Sequence, residues 1–335
     1  MTAPTRRLAV GVTPMESRHE VVLHLAERAE ELGYDAFLLA EGWGHDAPVL
    51  LGTIAARTSR IRLGTGVLNV WGRSPAGIAM LAASLDAVSG GRFVLGLGAG
   101  SPQLAEGWHD QRFAVPVARL ESVTREVRAL LAGERMSPSL ADGQRPLRLA
   151  VEPRPGIPVH LAGLGPRAVR LAGEIADAWY PFLLPRSGLP DGVQLLQDGA
   201  IDAARPVPLV SPGLPVAVAR DPATARAMAS WWVVTYLTGM GPIYGRTLRR
   251  LGLGGAVDVV LDANRTRGST EIPSDAQVLI DELVISGSAE TGRAGIAGWF
   301  DAGAELPVLV LPPGRPVAEL EYALEVLRPT DVRSR

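Results

Sequence analysis

The 335-residue chain contains no cysteine and no lysine. The first absence excludes disulfides, thiolate metal sites and a cysteine nucleophile. The second excludes Schiff-base chemistry and any lysine contact to phosphate, so all 33 basic residues are arginine. Neither sign of charge dominates: the net charge is −2, which gives a nucleic-acid partner no electrostatic support. No stretch of about 18 residues is apolar without polar interruption, so no membrane span is expected. The opening residues MTAPTRRLAV lack an apolar core ahead of a small-residue cleavage site. The expectation is a soluble cytoplasmic protein acting on a small molecule, with no nucleic-acid or membrane partner.

What is present is apolar matter, 47% of the chain, arranged in alternating strand and helix patterns. Strand patterns occupy 7–14, 36–42, 61–70, 92–100, 157–165, 178–182, part of 208–219 and 306–313. Helical patterns occupy 17–33, 46–58, 74–91, 117–134, 166–176 and 317–328. Asp46 and Ser74 stand where N-caps belong, each with a proline in the following turn, and a glycine stop closes the first helix at Gly33. Near-continuous apolar strands between amphipathic helices imply a parallel sheet covered by helices. Residues 135–157 are proline-rich and lack helical period, and 223–304 is mainly helical with a break near 268–274. Both read as insertions, after the fourth helix and after the seventh strand. The predicted fold is α/β, a (β/α)8 barrel formed by the whole of 1–335 as one domain, with a doubly wound sheet as the competing arrangement.

In such a barrel the chemistry sits at the C-terminal ends of the strands. Those ends carry Glu41, Trp43 and His45; Gly66, Val67, Asn69 and Trp71; Gly98, Ala99, Gly100 and Ser101, then Trp108 and His109; and Ala162, Gly163, Leu164, Gly165, Pro166 and Arg167. Three of the seven tryptophans on one rim, Trp43, Trp71 and Trp108, point to a flat apolar ligand pocket, with His109 beside it. Glycine-rich ends that run into helices suit a phosphate. The run GRFVLGLGAG is not a dinucleotide fingerprint, because the glycines after its apolar start fall at 96, 98 and 100 on the fourth strand rather than at Gly-X-Gly-X-X-Gly on the first. Gly96 reads as packing; Gly98 and Gly100 read as ligand contacts. The five histidines show no metal-ligand spacing with carboxylates, so no metal is expected, and no Gly-X-Ser-X-Gly elbow supports a serine hydrolase. Glu41 and His45 are candidate proton carriers. The alternative for Glu41 is a salt bridge to Arg73 or another rim arginine, and for His45 a solvated loop position.

The segments IRLGTGVLNVWGRSPAGIAMLAASLDAVSGGRFVLGLGAG and IPVHLAGLGPRAVRLAGEIADAWYPF resemble the luciferase-like monooxygenase superfamily, and the latter is similar to its coenzyme F420 branch. The resemblance implies a bacterial-luciferase-like barrel, commonly a homodimer, whose third strand bulges beneath the tricyclic ring through a non-prolyl cis bond, here Gly66–Val67. It implies that Asn69 lies beside the ring and that Gly98, Ala99, Gly100 and Ser101 line the ribityl-phosphate channel. Ala162 through Pro166 would give N–H groups to the phosphate, and Arg167 or a nearby arginine would meet the anionic tail. Some relatives carry Asp-His where this chain has Glu41-Gly42, and Glu where it has Ser101. Sugar-phosphate and alcohol dehydrogenase activities are correspondingly less expected. The implied reaction is hydride transfer between C5 of the deazaflavin and a small organic substrate, read as reduction of an activated C=C or C=N bond. A flavin mononucleotide (FMN) monooxygenase and a cofactor-less binding barrel are the rival readings.

Overall fold

The computed structural model describes residues 6–137, 145–266 and 268–329. Residues 138–144, inside the proline-rich stretch after the fourth predicted helix, lie outside the described residues, as do both ends of the predicted 1–335 domain. The first half alternates β1 (Ala9–Val12), α1 (His19–Glu31), β2 (Ala36–Leu39), α2 (Ala47–Arg57), β3 (Arg62–Thr65), β4 (Leu68–Asn69), α3 (Pro75–Val88), β5 (Phe93–Gly98), a short α4 (Pro102–Ala105) and α5 (Pro116–Leu131). The second half runs β6 (Val159–Ala162), α6 (Pro166–Ile175), β7 (Ala178–Trp179), α7 (Leu189–Asp202), β8 (Leu209–Val210) and β9 (Gly213–Val218). Then come α8 (Pro222–Gly239), α9 (Ile243–Arg250), α10 (Gly254–Ala263), α11 (Val278–Leu283), β10 (Ile285–Gly287), α12 (Ala289–Asp301), β11 (Val308–Leu311) and α13 (Val317–Val326).

The sheet is all-parallel and curled, in the order β10-β9-β11-β1-β2-β3-β5-β6-β7-β8, with β4 paired to β5. Leu209 and Val210 pair with β7, while Gly213 to Pro215, just beyond Pro212, pair with β11. The curl separates two cores. Alternation turns Val10, Phe37, Leu39, Leu95 and Leu161 outward against the helices. It turns Ala9, Ala36, Leu38, Tyr180, Ala217, Val308 and Val310 into the curl, where α8 packs with them.

The local signals behave as their chemistry requires. Asp46 caps α2 by accepting from the Val49 N–H at 3.2 Å, and Ser74 caps α3 by accepting from Gly77 N–H at 3.1 Å. The Ser17 start expected for α1 is corrected to Arg18, which caps without a side-chain bond. The single strand expected over 61–70 is broken at residues 66–67 into β3 and β4. Helix α7 and strand β10 have no counterpart among the patterns legible in the sequence. Residues 192 and 199 of α7 are glycines because the helix is pressed close: a methyl on Gly199 would lie 2.1 Å from the Arg170 carbonyl oxygen, and one on Gly192 2.2 Å from the Trp179 ring. These glycines, together with Pro190, hide the helical pattern. No helix among the described residues is long and apolar enough to cross a membrane.

Candidate active site

The site is built around the break between β3 and β4. The Gly66–Val67 peptide is cis, the bond the resemblance marked. The neighbouring strand ends clasp it. Gly66 N–H donates to Leu39 O at 2.9 Å, and Glu41 N–H donates to Val67 O at 3.2 Å. The Thr65 hydroxyl both donates to Gly96 O and accepts from Gly96 N–H, each at 2.8 Å.

The last three glycines of GRFVLGLGAG face this bulge in register. A methyl on Gly96 would lie 1.9 Å from Thr65 O; one on Gly98 would lie 2.7 Å from Val67 Cγ2. Gly100 has φ +64, and a methyl there would meet Asn69 Cβ at 3.3 Å. The packing reason expected for Gly96 therefore extends to Gly98. Its glycine identity, read from the sequence as ligand contact, is accounted for by Val67.

Beyond the bulge the chain draws Asn69, Trp71 and His109 together. The Asn69 side chain is buried, and its Oδ1 accepts from the N–H groups of Trp71 at 3.0 Å and Gly72 at 2.9 Å. Its Nδ2 lies 3.2 Å from His109 Nε2. With Nδ2 donating, Nε2 is the acceptor, and Nδ1 carries the ring proton. The Trp71 indole N–H donates to Ala99 O at 2.7 Å, and its ring tilts against Phe113 at 5.5 Å. Trp43 and Trp108, expected beside it, are 46% and 59% exposed.

Glu41 takes the alternative role. Its side chain is nearly sealed and gripped by both terminal nitrogens of Arg73. Arg73 also bonds Asp46 at 2.5 Å, and Ala47 N–H donates to Glu41 at 3.2 Å. Hydrogen bonding to Glu41 raises the Arg73 pKa above its ordinary value, although burial opposes it. So held, Glu41 ties the β2 loop to the start of α3. His45 is exposed, and its Nε2 lies 2.9 Å from Ser17 O. The structure does not bring Glu41 and His45 together as a pair of proton carriers.

The far side of the rim is the end of β6. Ala162 ends the strand, and Gly163 packs on the first turn of α6, where a methyl would lie 2.7 Å from Ala168 Cβ. Gly165 is the N-cap residue of α6 and offers no side-chain cap; Pro166 follows at the first helical position, and Pro166 and Arg167 are exposed. A helix start with no side chain on its N–H groups is suited to an anion. Arg250, at the end of α9, donates to Leu164 O at 2.7 Å and brings a guanidinium to this loop. Ser101 caps α4, accepting from Leu104 N–H at 3.4 Å, and the turn between α8 and α9 approaches it: a methyl on Gly241 would lie 3.8 Å from Ser101 Cβ. Thus α9 runs from the β5 end to the β6 end of the mouth.

One further feature fits a polar ligand. Thr13, at the end of β1, is 3% exposed with its hydroxyl unpaired among the described residues. Sequence reasoning missed Arg250 and the tyrosines Tyr180, Tyr236 and Tyr244. Only their places in the folded chain, with α9 crossing the mouth, distinguish them. Among the described residues, no group of three or more histidine, aspartate or glutamate side chains could hold a metal.

Comparison with known proteins gives a consistent result. The model of the luciferase-like monooxygenase family matches residues 3–306. A provisionally assigned coenzyme F420-dependent oxidoreductase of Mycobacterium tuberculosis is 32% identical over 92% of this chain and 95% of its own. An F420-dependent glucose-6-phosphate dehydrogenase of Nakamurella multipartita is 31% identical over 68% of this chain and 72% of its own. Among solved structures, the coenzyme F420-dependent tetrahydromethanopterin reductase of Methanopyrus kandleri superposes with a TM-score of 0.79 at 21% identity, covering 96% of this chain and 97% of that one.

Proposed function

The chain belongs to the luciferase-like monooxygenase family, and from that premise we propose that it is a coenzyme F420-dependent oxidoreductase built on a closed (β/α)8 barrel. The observation that carries the reading is the likeness, over 92% of the chain, to a coenzyme F420-dependent relative. When bound, the deazaflavin supplies two-electron hydride transfer. The protein's part is to hold and orient. The uncapped start of α6, with Gly163 to Arg167, binds phosphate, assisted by Arg250. Val67, packed on Gly96 and Gly98, supports the ring, with Asn69 and Trp71 beside it. Ala99, Gly100 and Ser101 border the ribityl chain. Trp43, Trp108 and His109 form the outer substrate pocket, and Glu41 positions the β2 loop through Arg73.

The finer reaction is reduction of an activated C=C or C=N bond of a small organic substrate. The working unit is a homodimer; neighbouring helices α2 and α3 support this by presenting Val49, Met80 and Val88, which are 67%, 61% and 64% exposed. The cofactor assignment is tested by titrating the purified protein with oxidised deazaflavin and with FMN, following deazaflavin and flavin fluorescence. Saturable binding of the deazaflavin alone is expected. Binding of FMN alone transfers the assignment to a monooxygenase, and binding of neither favours a cofactor-less barrel.

A further inference from the structure

Three phenols stand at the mouth with nothing bonded to their hydroxyls among the described residues. Tyr180, just past β7, is turned into the curl: a methyl on Gly66 would lie 3.6 Å from its hydroxyl oxygen, and one on Gly213 would lie 3.1 Å from it. Tyr236 comes from α8, and Tyr244 from α9, the helix that crosses the mouth. Their rings meet edge to face at 5.3 Å, and both meet Phe182, at 5.1 and 6.4 Å. Trp232 closes the group, 6.2 Å from Phe182 and 5.6 Å from Tyr236, with its indole N–H spent on Val216 O at 3.0 Å. Tyr180 is 5% exposed and Tyr236 7%.

A buried phenol hydroxyl ordinarily finds a partner. Tyr34 does, donating to Leu324 O at 2.9 Å. None of the three mouth tyrosines has a hydrogen-bond partner among the described residues, and none of their oxygens is among the sealed unpaired atoms. Burial pushes all three above the ordinary phenol range, and Tyr244 adds to the shift of Tyr180 and Tyr236. They stay neutral at any working pH and offer O–H donors. The surrounding walls are aromatic. Two arginines of the rim are committed elsewhere, Arg73 to Glu41 and Asp46, and Arg250 to Leu164 at the β6 loop. A carboxylate or phosphate held by the three phenols alone would lack a counter-charge.

We propose that Tyr180, Tyr236 and Tyr244 form a neutral donor cluster that holds the carbonyl oxygen of an uncharged substrate, whose apolar body rests on Phe182 and Trp232. This rests on the proposed oxidoreductase reading and deepens it: the substrate class is a ketone or conjugated carbonyl compound, and the activated C=C bond is one conjugated to that carbonyl. Donors fixed in a poorly solvated site favour charge that develops on such an oxygen.

The test uses the full chain, with and without deazaflavin, and cyclohex-2-enone carrying carbon-13 at the carbonyl as the probe. Wild-type protein should bind it saturably and move the carbonyl resonance downfield. Y180F and Y244F should each weaken binding at least fivefold and lose most of the shift, and the triple variant Y180F/Y236F/Y244F should lose both. Thermal melting verifies that each variant is folded, since phenylalanine keeps the packing. Benzoate, an anion of similar size, should bind at least tenfold more weakly than the enone. No saturable binding to wild type, an unchanged shift in the triple variant, or preference for benzoate overturns the proposal. Displacement of the probe by deazaflavin also overturns it, because the hydroxyls would then serve the cofactor. Failure of deazaflavin itself to bind, with the enone results as expected, overturns the cofactor reading and leaves the donor cluster standing.

Discussion

A methyl group on Gly96 would lie 1.9 Å from the Thr65 carbonyl oxygen, and a main-chain oxygen clasped by its neighbours has nowhere to go. Gly96→Ala is therefore expected to cost at least about 3 kcal/mol, at the upper end of overpacking effects. Gly100→Ala, at φ +64, should cost about 1–2 kcal/mol through its left-handed backbone. Urea unfolding midpoints of the two variants measure both, and equal losses would sink the distinction. His160, on the inner face of β6, is pushed down to about 4 from 6.5 by desolvation, with the charge of Asp177 opposing and Arg62 assisting. Between those values the unfolded chain takes up a proton that the folded chain refuses. The contribution is fully present above pH 6.5 and is lost as pH falls to about 4. At about 1.4 kcal/mol per unit the ceiling is about 3 kcal/mol, and the partial accessibility of His160 lowers it. Unfolding midpoints at pH 7 and pH 5 should converge when His160 is replaced by glutamine; an undiminished difference would assign the slope to other groups.

Elements were legible where one side chain governs its own neighbourhood. Asp46 and Ser74 mark helix starts because each bonds an N–H three residues ahead, a relation visible in the sequence itself. Gly199 and Gly192 mark nothing locally. Their reason is Arg170 O and the Trp179 ring, and so α7 reads as an irregular stretch. The same holds for the site. Gly66, Val67 and Asn69 could be placed through their motif, whereas Arg250 and Tyr244 lie on α9, whose path across the mouth no local pattern encodes. Glu41 was legible as a charged rim residue, but its partner decides its role. Helix α6 gives a test in which stability and binding move in opposite directions. Gly165 has open space where a Cβ would stand and an extended N-cap conformation. Gly165→Asp should therefore cap α6 and stabilise the fold by roughly a few tenths of a kcal/mol. Its carboxylate would occupy the N–H groups proposed for phosphate, and deazaflavin affinity should fall at least tenfold. A rise in melting temperature with unchanged affinity would remove α6 from the phosphate site.

At the scale of the whole molecule, the curl of the sheet concentrates the chemistry at one end, while the helices meet water or another subunit on the outside. On α2 and α3, Val49, Met80 and Val88 remain largely exposed although the adjoining positions of the same helices are buried in the outer core. Single exposed apolar residues are ordinary, and the proposed homodimer is the arrangement that would cover these three. A homodimer through this face should sediment at twice the 35.3 kDa chain mass at micromolar concentration. Its melting temperature should rise with protein concentration, because association stabilises only the folded chain. Met80→Glu places a charge on that face without touching the curl. It should shift the protein to monomer and abolish the concentration dependence, while deazaflavin binding, which depends on the far ends of the strands, persists. A monomeric wild type would remove the dimer. A dimer indifferent to Met80→Glu would move the contact to another face, and loss of cofactor binding on dissociation would show that the face and the mouth are coupled.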